Sequence, residues 1–452
     1  MIDTFLHPFL TADIPGIGGA IKETPEDFLV EEIPSYLPCG SGEHCYLTIE
    51  KRGITTLEAI NRIAKAVKVP ERDIGYAGMK DSVGVTRQTI SVQWLSPSMA
   101  LDLELDGVKV VAAARHSNKL KLGHLRGNRF RIVIRGVSGD AALTVPMILD
   151  VLSKRGVPNY FGYQRYGAQG NSHLIGAAML RQNWRECVDR LMGEPYSVRD
   201  QEWSAAISAY QCGELHEALQ MFPRHCRSER DLLQRLISRP GEYEKAFSAV
   251  HPRMKKLYLS AAQSFLFDQA VARRISSLDE IMTGDLAYKH SNGACFLVED
   301  VLAEQGRAAA FEISATGPMF GCKMKRAEGV SGVLEQNIME QSGLNLHLFD
   351  LPGGMRLEGV RRPLRVPAGD ISWSTSEDAV TVEFSLPKGS YATSLVRELV
   401  KTFYTDIPST GCLPISKNYS FAGCPVDEIT LLHNRPDGSI FFRLLVASLI
   451  GT

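Results

Sequence analysis

Apolar and polar residues alternate in three short segments of the chain, and a period of two residues is typical of β-strands with one buried face. These segments lie at 28–32, 127–134 and 380–386. Elsewhere apolar residues recur every three to four positions, which predicts helices; a capping pattern at Thr55–Glu58 precedes one of them, and much of 172–310 shares the helical pattern. Strands near both chain ends and a helical middle predict a mixed α and β protein.

A glycine-rich turn between two further predicted strands lies within Ile74–Val92. Gly78 and Gly84 bracket this turn, and Lys80 and Asp81 are at its tip. An acid on a rigid turn is held in place while it stays open to a substrate. An Asp in such a turn is, however, more often a plain surface residue that hydrogen-bonds its own backbone. The turn alone leaves both interpretations open.

The composition is that of an ordinary globular protein, since 44% of the 452 residues are hydrophobic and 50 Lys and Arg face 51 Asp and Glu. Nine cysteines are scattered without a CxxC pair, and Cys39, His44 and Cys45 have no common metal-ligand spacing. The N-terminus lacks the pattern of a signal peptide, and no apolar stretch is long enough to span a membrane. We therefore expect a cytoplasmic protein without a bound metal.

Positive charge is concentrated in one part of this otherwise neutral chain. Between 109 and 135 there are eight Lys or Arg residues and no acid. A run of charge is usually a solvated face, but one this one-sided favours a polyanion such as nucleic acid as the partner. The candidate cations for such contacts are Lys121, Arg126 and Arg129.

Two further segments suit contact with bases. Asn128 ends an otherwise apolar strand face, where it either bonds to a base edge or caps the strand. The segment PNYFGYQRYG (158–167) interleaves aromatic rings with Arg165, a mixture that suits stacked bases and their phosphates. The same segment is equally typical of a packed aromatic cluster at a domain edge.

Five pieces of the chain, in this order, together resemble the TruD family of tRNA pseudouridine synthases. They are Lys22–Glu32, AGMKDSVGVTRQ (77–88), GNRFRIVIRG (127–136), PNYFGYQRYG (158–167) and FSLPKGSYATSLVREL (384–399). The resemblance implies an α+β fold, in which a pseudouridine synthase catalytic domain with a mixed, mostly antiparallel sheet carries an inserted α/β TRUD domain. The catalytic domain would comprise 1–157 and, with the tail, 369–452. The insert would be 158–368 and longer than in bacterial members.

The same resemblance implies that the chain isomerises uridine to pseudouridine in tRNA, at uridine 13, without a cofactor. Asp81 is then the nucleophile, although the resemblance leaves open whether it attacks the sugar or the base or removes a sugar proton. Lys22 is expected to face this acid and favour its ionised form. The expected substrate-binding residues are Phe28, Asn128, Tyr391, Lys22 and Phe130. The expected partner is tRNA, with no membrane and no obligatory protein partner.

Two other classes of protein fit part of the pattern. A nucleotide deaminase also flips bases, but its HxE and PCxxC zinc motifs are missing, since Pro38-Cys39 has no second cysteine at that spacing. A non-catalytic RNA-binding protein fits the basic and aromatic segments but leaves Asp81 without a role.

Overall fold

The computed structural model describes residues 7–80, 82–137, 140–198, 200–351 and 355–401. Asp81 lies outside these residues, and so does the predicted tail 402–452. The described part contains a large sheet built from both ends of the chain and a mostly helical segment between them. Within it, no helix is both long and apolar enough to cross a bilayer.

The first part of the chain forms most of the large sheet. Its strands are β1 (Ala20–Ile21), β2 (Phe28–Pro34), β3 (His44–Arg52), β4 (Gly75–Tyr76), β5 (Val85–Gln93), β6 (Glu104–Leu105), β7 (Val108–His116) and β8 (Leu125–Arg135). Its helices are α1 (Thr56–Val67), α2 (Pro97–Leu101) and α3 (Ala141–Arg155). The Thr55 hydroxyl accepts a hydrogen bond from the Glu58 amide at 3.1 Å, so the predicted helix cap is confirmed.

The middle of the chain is mainly helical, as predicted. Its helices are α4 (Ser172–Leu180), α5 (Trp184–Met192), α6 (Gln201–Gln211), α7 (Leu215–Met221), α8 (Arg227–Ser238), α9 (Tyr243–Phe247), α10 (Pro252–Arg273), α11 (Val301–Ala309) and α12 (Gly329–Gln341). Its strands are β9 (Val157–Pro158), β10 (Leu286–Lys289), β11 (Cys295–Leu297), β12 (Ile313–Met319), β13 (Val360–Pro363) and β14 (Arg365–Val366). The long helix α10 packs against both α4 and β12, and its buried side chains join one apolar core with theirs.

The two ends of this middle segment meet. β9 pairs with β14 in antiparallel fashion, with Val157 opposite Val366. The Asn159 amide continues this pairing by donating to the Leu364 carbonyl at 2.9 Å. The predicted limits of the insert are 158 and 368, so this pairing lies near both of them. The domain boundaries themselves stay a prediction.

The end of the described chain adds two strands and a helix to the large sheet, namely β15 (Gly369–Thr375), β16 (Ala379–Pro387) and α13 (Ala392–Val400). The strand order is β15-β16-β8-β2-β5-β3-β7-β6, with β1 beside β8 and β4 beside β5. β2 and β5 run parallel, while the other paired strands of this sheet run antiparallel within the described residues. The predicted mixed, mostly antiparallel sheet is therefore confirmed.

The sheet has two faces of different character. On one face, which we call the inner face, Val30 lies opposite Phe130, and Phe130 lies opposite Phe384 on the next strand. All three side chains are buried, as the two-residue alternation predicts. Helix α1 packs on the part of this face formed by β3 and β5. On the opposite, outer face the same strands carry charged and exposed residues such as Glu31 and Arg131.

Candidate active site

The turn that carries Asp81 leads from β4 into β5, the strand that runs parallel to β2. β2 pairs with β5 only as far as Arg87, and β4 takes the place beside Ile90 and Ser91. The segment from Ala77 to Gly84 connects β4 with β5. Asp81 itself is outside the described residues, so the site is built here from its neighbours.

Lys80, the residue before Asp81, is anchored through both its backbone and its side chain. Its amide donates to the Thr56 hydroxyl at 2.9 Å, at the start of α1. Its ammonium donates to Asn128 Oδ1 at 2.7 Å and lies 3.0 Å from Glu32 Oε2. Only 5% of the side chain is exposed. The sequence pattern placed Lys80 at the tip of a loop, and within that loop its side chain is held inside by these two polar partners.

Glu32 is the residue at this site that the sequence analysis missed. Its carboxylate side chain is 2% exposed, and its Oε1 accepts a hydrogen bond from the Thr89 amide at 3.3 Å. Its Oε2 accepts no well-aligned hydrogen bond from a described residue, so its contact with Lys80 is an ion pair. The signal was present in the sequence, since the alternation that buries Phe28 and Val30 puts position 32 on the same face. An acid at such a position needs a buried partner.

Two aromatic rings form the floor of the site on the inner face. Phe28 and Phe130 are 5% and 6% exposed, and their ring centroids are 6.4 Å apart. Lys22 Nζ lies 4.3 Å from the centroid of the Phe28 ring. A side chain at Gly84 would meet the Phe28 carbonyl oxygen at 2.5 Å, so the turn after Asp81 passes close over β2. The structure thus brings Lys22, Phe28 and Phe130 together, and Asn128 joins them through its pairing opposite Glu32.

Tyr391 lies just after β16, at the residue that precedes α13. Its ring centroid is 5.7 Å from that of Phe161, and a side chain at Gly162 would come within 2.9 Å of the Tyr391 ring. Arg362 supports the turn before it by donating to the Gly389 carbonyl at 2.9 Å. Tyr391 is half-buried, so part of it stays accessible while the rest packs against the first residues of the middle segment.

Two of the predicted RNA-binding cations lie beside the Asp81 turn. The loop between β7 and β8 carries Lys121, and Arg126 follows at the start of β8; both are exposed. This loop contacts the turn directly, because the Gly123 amide donates to the Ala77 carbonyl at 2.8 Å. Lys388 donates to the Gly123 carbonyl at 3.0 Å and adds a cation that the sequence analysis did not single out.

Arg129 has a different position, since alternation along β8 puts it on the outer face. There it lies 3.7 Å from Asp370 and opposite Glu31 on β2. Its neighbour Arg131 is 3.3 Å from Glu383. The basic run contains no acid along the chain. In the folded structure, however, β2 and β16 place acidic residues next to its cations. The role of Arg129 in RNA binding stays a prediction.

Asp27 forms an ion pair with Arg135, the last cation of the basic run. Arg135 donates to both oxygens of its carboxylate, at 2.7 Å to Oδ1 and 3.0 Å to Oδ2. The hydrogen bonds from Arg135 hold the pKa of Asp27 below its ordinary value, against the smaller opposing effect of burial. Thr24 also donates its amide to Asp27 Oδ2 at 2.9 Å, which ties the segment between Lys22 and β2 to the sheet.

The aromatic segment 158–167 is mostly packed inside. Tyr160, Phe161 and Tyr166 are buried, so the alternative of a packed aromatic cluster is confirmed for these three rings. Arg165, a predicted RNA-binding residue, donates to Ser264 Oγ at 3.0 Å and to the Ser260 hydroxyl on α10. It is half-buried, and its role toward RNA stays a prediction.

No group of three or more His, Cys, Asp or Glu side chains with a geometry suited to a metal ion occurs in the described part of the chain. The polar groups that meet at the Asp81 turn are instead one ammonium, one carboxylate and one amide, from Lys80, Glu32 and Asn128. Such a set can hold a neighbouring acid in place and offer directional hydrogen bonds to a polar ring. The positive charge of Lys80 and the negative charge of Glu32 offset each other.

Comparison with known proteins gives consistent matches along the described chain. The family model for tRNA pseudouridine synthase D (TruD) matches residues 7–399. The tRNA pseudouridine synthase D of Geotalea daltonii is 60% identical over 397 residues, which are 88% of this chain and 100% of that protein. The tRNA pseudouridine synthase D of Geobacter metallireducens is 60% identical over 393 residues, which are 87% of this chain and 97% of that protein. These bacterial proteins are matched along nearly their whole length, so the expectation of a longer insert than in bacterial members is wrong for them.

A solved structure has the same fold. A crystal structure from Methanosarcina mazei, whose protein is described as a tRNA pseudouridine synthase D (TruD), superposes with a TM-score of 0.76. The match covers 87% of this chain and 96% of that chain at 26% sequence identity. The fold is therefore shared by proteins whose sequences have diverged to about a quarter identity.

Proposed function

Since the chain belongs to the TruD family of tRNA pseudouridine synthases, we propose that it converts uridine 13 of tRNA to pseudouridine, with Asp81 as the nucleophile and without a metal or organic cofactor. The observation that carries the proposal is the match of the family model over residues 7–399, together with 60% identity to a named tRNA pseudouridine synthase D along its full length. Position 13, the role of Asp81 and the independence from cofactors are parts of the proposal.

The reaction needs no net input of atoms or electrons. The bond from ribose C1′ to uracil N1 breaks, the base turns, and a bond from C1′ to C5 forms; C5 loses its proton and N1 gains one. A carboxylate suits this reaction because it can act as a nucleophile while both exchanged bonds stay within one nucleotide. Asp81 follows Lys80, which is held in place by Thr56, Asn128 and Glu32.

The described residues that would complete the site with Asp81 have separate roles in the proposal. Lys22 supplies positive charge beside the Phe28 ring and would favour the ionised acid. Phe28 and Phe130 form an apolar floor that excludes water from the target base. Tyr391 keeps part of its ring accessible and would stack on the base after it leaves the RNA helix. Asn128 would contact the polar edge of the base.

The RNA backbone would be held mainly by cations around the turn. Lys121, Arg126 and Lys388 surround the loop that contacts Ala77, which puts three positive charges at one rim of the site. Phosphate contacts of this kind supply much of the affinity of proteins for nucleic acid and carry no sequence information. Arg129 and Arg165 remain candidates for additional contacts.

The experiment that tests the proposal is to incubate purified protein with a tRNA transcript that contains uridine 13, in the presence of EDTA. Pseudouridine is mapped by carbodiimide-dependent stops of reverse transcription. We expect one new stop at position 13, and none in a transcript with cytidine 13. Tight binding without any stop would favour a non-catalytic RNA-binding protein. A stop at another position would contradict the assignment to uridine 13, and loss of activity with EDTA would contradict independence from metal.

A further inference from the structure

The contact between Lys80 and Asn128 fixes which end of the Asn128 amide faces outward. Lys80 Nζ lies 2.7 Å from Asn128 Oδ1. An ammonium group has three N–H donors and no acceptor, so only the oxygen end of an amide can face it. The nitrogen end of Asn128, with its two N–H donors, therefore points away from Lys80. It makes no hydrogen bond to any described residue, and the Asn128 side chain is only half-buried.

Glu32 holds Lys80 in the place where it controls Asn128. The carboxylate is 3.0 Å from the Lys80 ammonium, and Glu32 lies directly opposite Asn128 on the neighbouring strand. The backbone positions of Glu32 and Asn128 are thus set by the pairing of β2 with β8. The backbone of Lys80 is set by its bond to Thr56. Rotation of the Asn128 amide by half a turn would bring two N–H groups against an ammonium that stays in place.

We propose that the Glu32–Lys80 pair is a positioning device that makes Asn128 a pure hydrogen-bond donor toward the target base, so that the site accepts uracil and rejects cytosine. The inference rests on the proposed function and names Asn128 as the residue that sets base specificity. Glu32 and Lys80 act through Asn128 in this role. Sites that hydrogen-bond a particular substrate group discriminate strongly against analogues that lack it.

A fixed donor suits a base that turns during the reaction. Uracil has carbonyl groups at C2 and C4, on either side of the axis through N3 and C6. Turning the base by 180° about this axis exchanges N1 with C5, as the reaction requires, and at the same time exchanges O2 with O4. A donor that faces one carbonyl before the turn therefore faces the other carbonyl after it. Cytosine has an amino group at C4, so a pure donor meets another donor in one of the two orientations.

The first test uses target uridines with one weakened acceptor. Transcripts carry uridine, 2-thiouridine or 4-thiouridine at the target position, and single-turnover rates are measured with wild type and with Asn128→Ala. Sulfur accepts hydrogen bonds poorly, and one hydrogen bond corresponds to about three- to tenfold in rate. We expect either thio substitution to slow wild type about three- to tenfold more than it slows Asn128→Ala. Equal sensitivity in both proteins would overturn the contact between Asn128 and a carbonyl group.

The second test replaces the outward hydrogen-bond donor at position 128 by an acceptor and leaves the Glu32–Lys80 pair intact. Asn128→Asp keeps an oxygen toward Lys80 and changes the outward N–H donors into an acceptor. We expect it to be at least about tenfold slower on uridine than Asn128→Ala, because its outward oxygen opposes a carbonyl. Competition between transcripts with uridine and cytidine at the target should shift toward cytidine. An Asn128→Asp enzyme as fast as Asn128→Ala, with unchanged preference, would overturn the donor assignment.

The third test asks whether the Glu32–Lys80 ion pair determines which end of the Asn128 amide faces outward. In Glu32→Gln/Lys80→Gln the new amide at position 80 can face either end of Asn128, so the extra thio sensitivity should fall to within about twofold of the Asn128→Ala level. The matched control, Asp150→Asn/Lys154→Gln, removes an exposed ion pair on α3 and should keep the wild-type sensitivity. If Glu32→Gln/Lys80→Gln kept the wild-type sensitivity to thio substitution, the positioning role of the Glu32–Lys80 pair would be overturned. Absence of product with wild type on unsubstituted tRNA would instead overturn the proposed function, and this inference with it.

Discussion

The inner and outer faces of the large sheet both carry ion pairs, but the two kinds of pair differ in their surroundings. On the inner face, Lys80 and Glu32 are 5% and 2% exposed. On the outer face, Arg131 and Glu383 are 47% and 46% exposed. Removing two charges from water costs several kcal/mol, whereas an exposed pair is worth about 0–1 kcal/mol. The outer pairs therefore contribute little to stability, while burial of the inner pair has a cost that its positioning role explains.

The difference also bears on how charge is recognised in a sequence. The basic run 109–135 was the most prominent charge feature of the chain, yet Arg131 and Arg135 in it are matched by Glu383 and Asp27 from distant segments. The inner pair joins single charges 48 positions apart and leaves no trace in a charge profile. A count of charges along the chain thus detects exposed surfaces better than it detects a site.

The largest effect on stability is expected from breaking the inner pair. Lys80→Met leaves the Glu32 carboxylate buried without its cation, and removal of one partner of a buried pair costs about 3–5 kcal/mol. Urea unfolding measures this free energy. Arg131→Gln, the matched change on the outer face, should cost no more than about 1 kcal/mol. Equal losses in the two variants would remove the distinction between the faces.

A smaller effect on activity is expected at Tyr391, the residue that precedes α13. Stacking of a base on an aromatic ring is worth about 1–3 kcal/mol, so Tyr391→Ala should slow single-turnover modification roughly ten- to hundredfold. Tyr391→Phe should stay within a few-fold of wild type. Thermal melting is measured in parallel, since Tyr391 also packs on Phe161 and Gly162. A loss of stability with intact modification by the folded fraction would make Tyr391 a packing residue only.

The salt dependence of tRNA binding compares the cations beside the Asp81 turn with those on the outer face. If about four cations each neutralise a phosphate, affinity should fall roughly 100-fold between ~50 and ~200 mM salt. Lys121→Gln/Arg126→Gln, beside the Asp81 turn, should reduce the slope of log affinity against log salt by up to about 1.8. Arg129→Gln/Arg131→Gln should reduce it less, because acids already offset these charges. An equal reduction would extend the RNA track onto the outer face.

The smallest effect is expected from the pH dependence of the Asp27–Arg135 pair. Hydrogen bonds from Arg135 lower the pKa of Asp27 in the folded state. The stabilisation is therefore present above the unfolded pKa of about 4 and is lost as the pH falls through the lower folded value. At pH 7 the melting temperature of wild type should be slightly higher than that of Asp27→Asn, and this gap in melting temperature should close below about pH 4. A gap that is constant over this range would exclude the ionised carboxylate as its cause.

Local patterns predicted the elements of the fold because each depends on neighbouring residues. The cap at Thr55 and the alternation from Asn128 to Ile134 are set by periods of a few residues, and both are present in the structure. The pairing of β16 with β8 joins residues about 250 positions apart, so only the family resemblance indicated it. Glu32 was missed because its partner Lys80 comes from a turn whose path no local pattern determines. The assignment of Asp81 rests on the resemblance and not on its own surroundings.

The central claim is that Asp81, together with the residues of the inner face, performs the isomerisation. The most direct measurement is single-turnover formation of pseudouridine at saturating protein, with Asp81→Asn beside wild type. Asp106→Asn, the same change in an exposed turn, is the control. Asp81→Asn should bind tRNA as wild type does and form no detectable pseudouridine, because an amide is nearly isosteric but a poor nucleophile, while Asp106→Asn should match wild type. Near wild-type turnover by folded Asp81→Asn would contradict the claim.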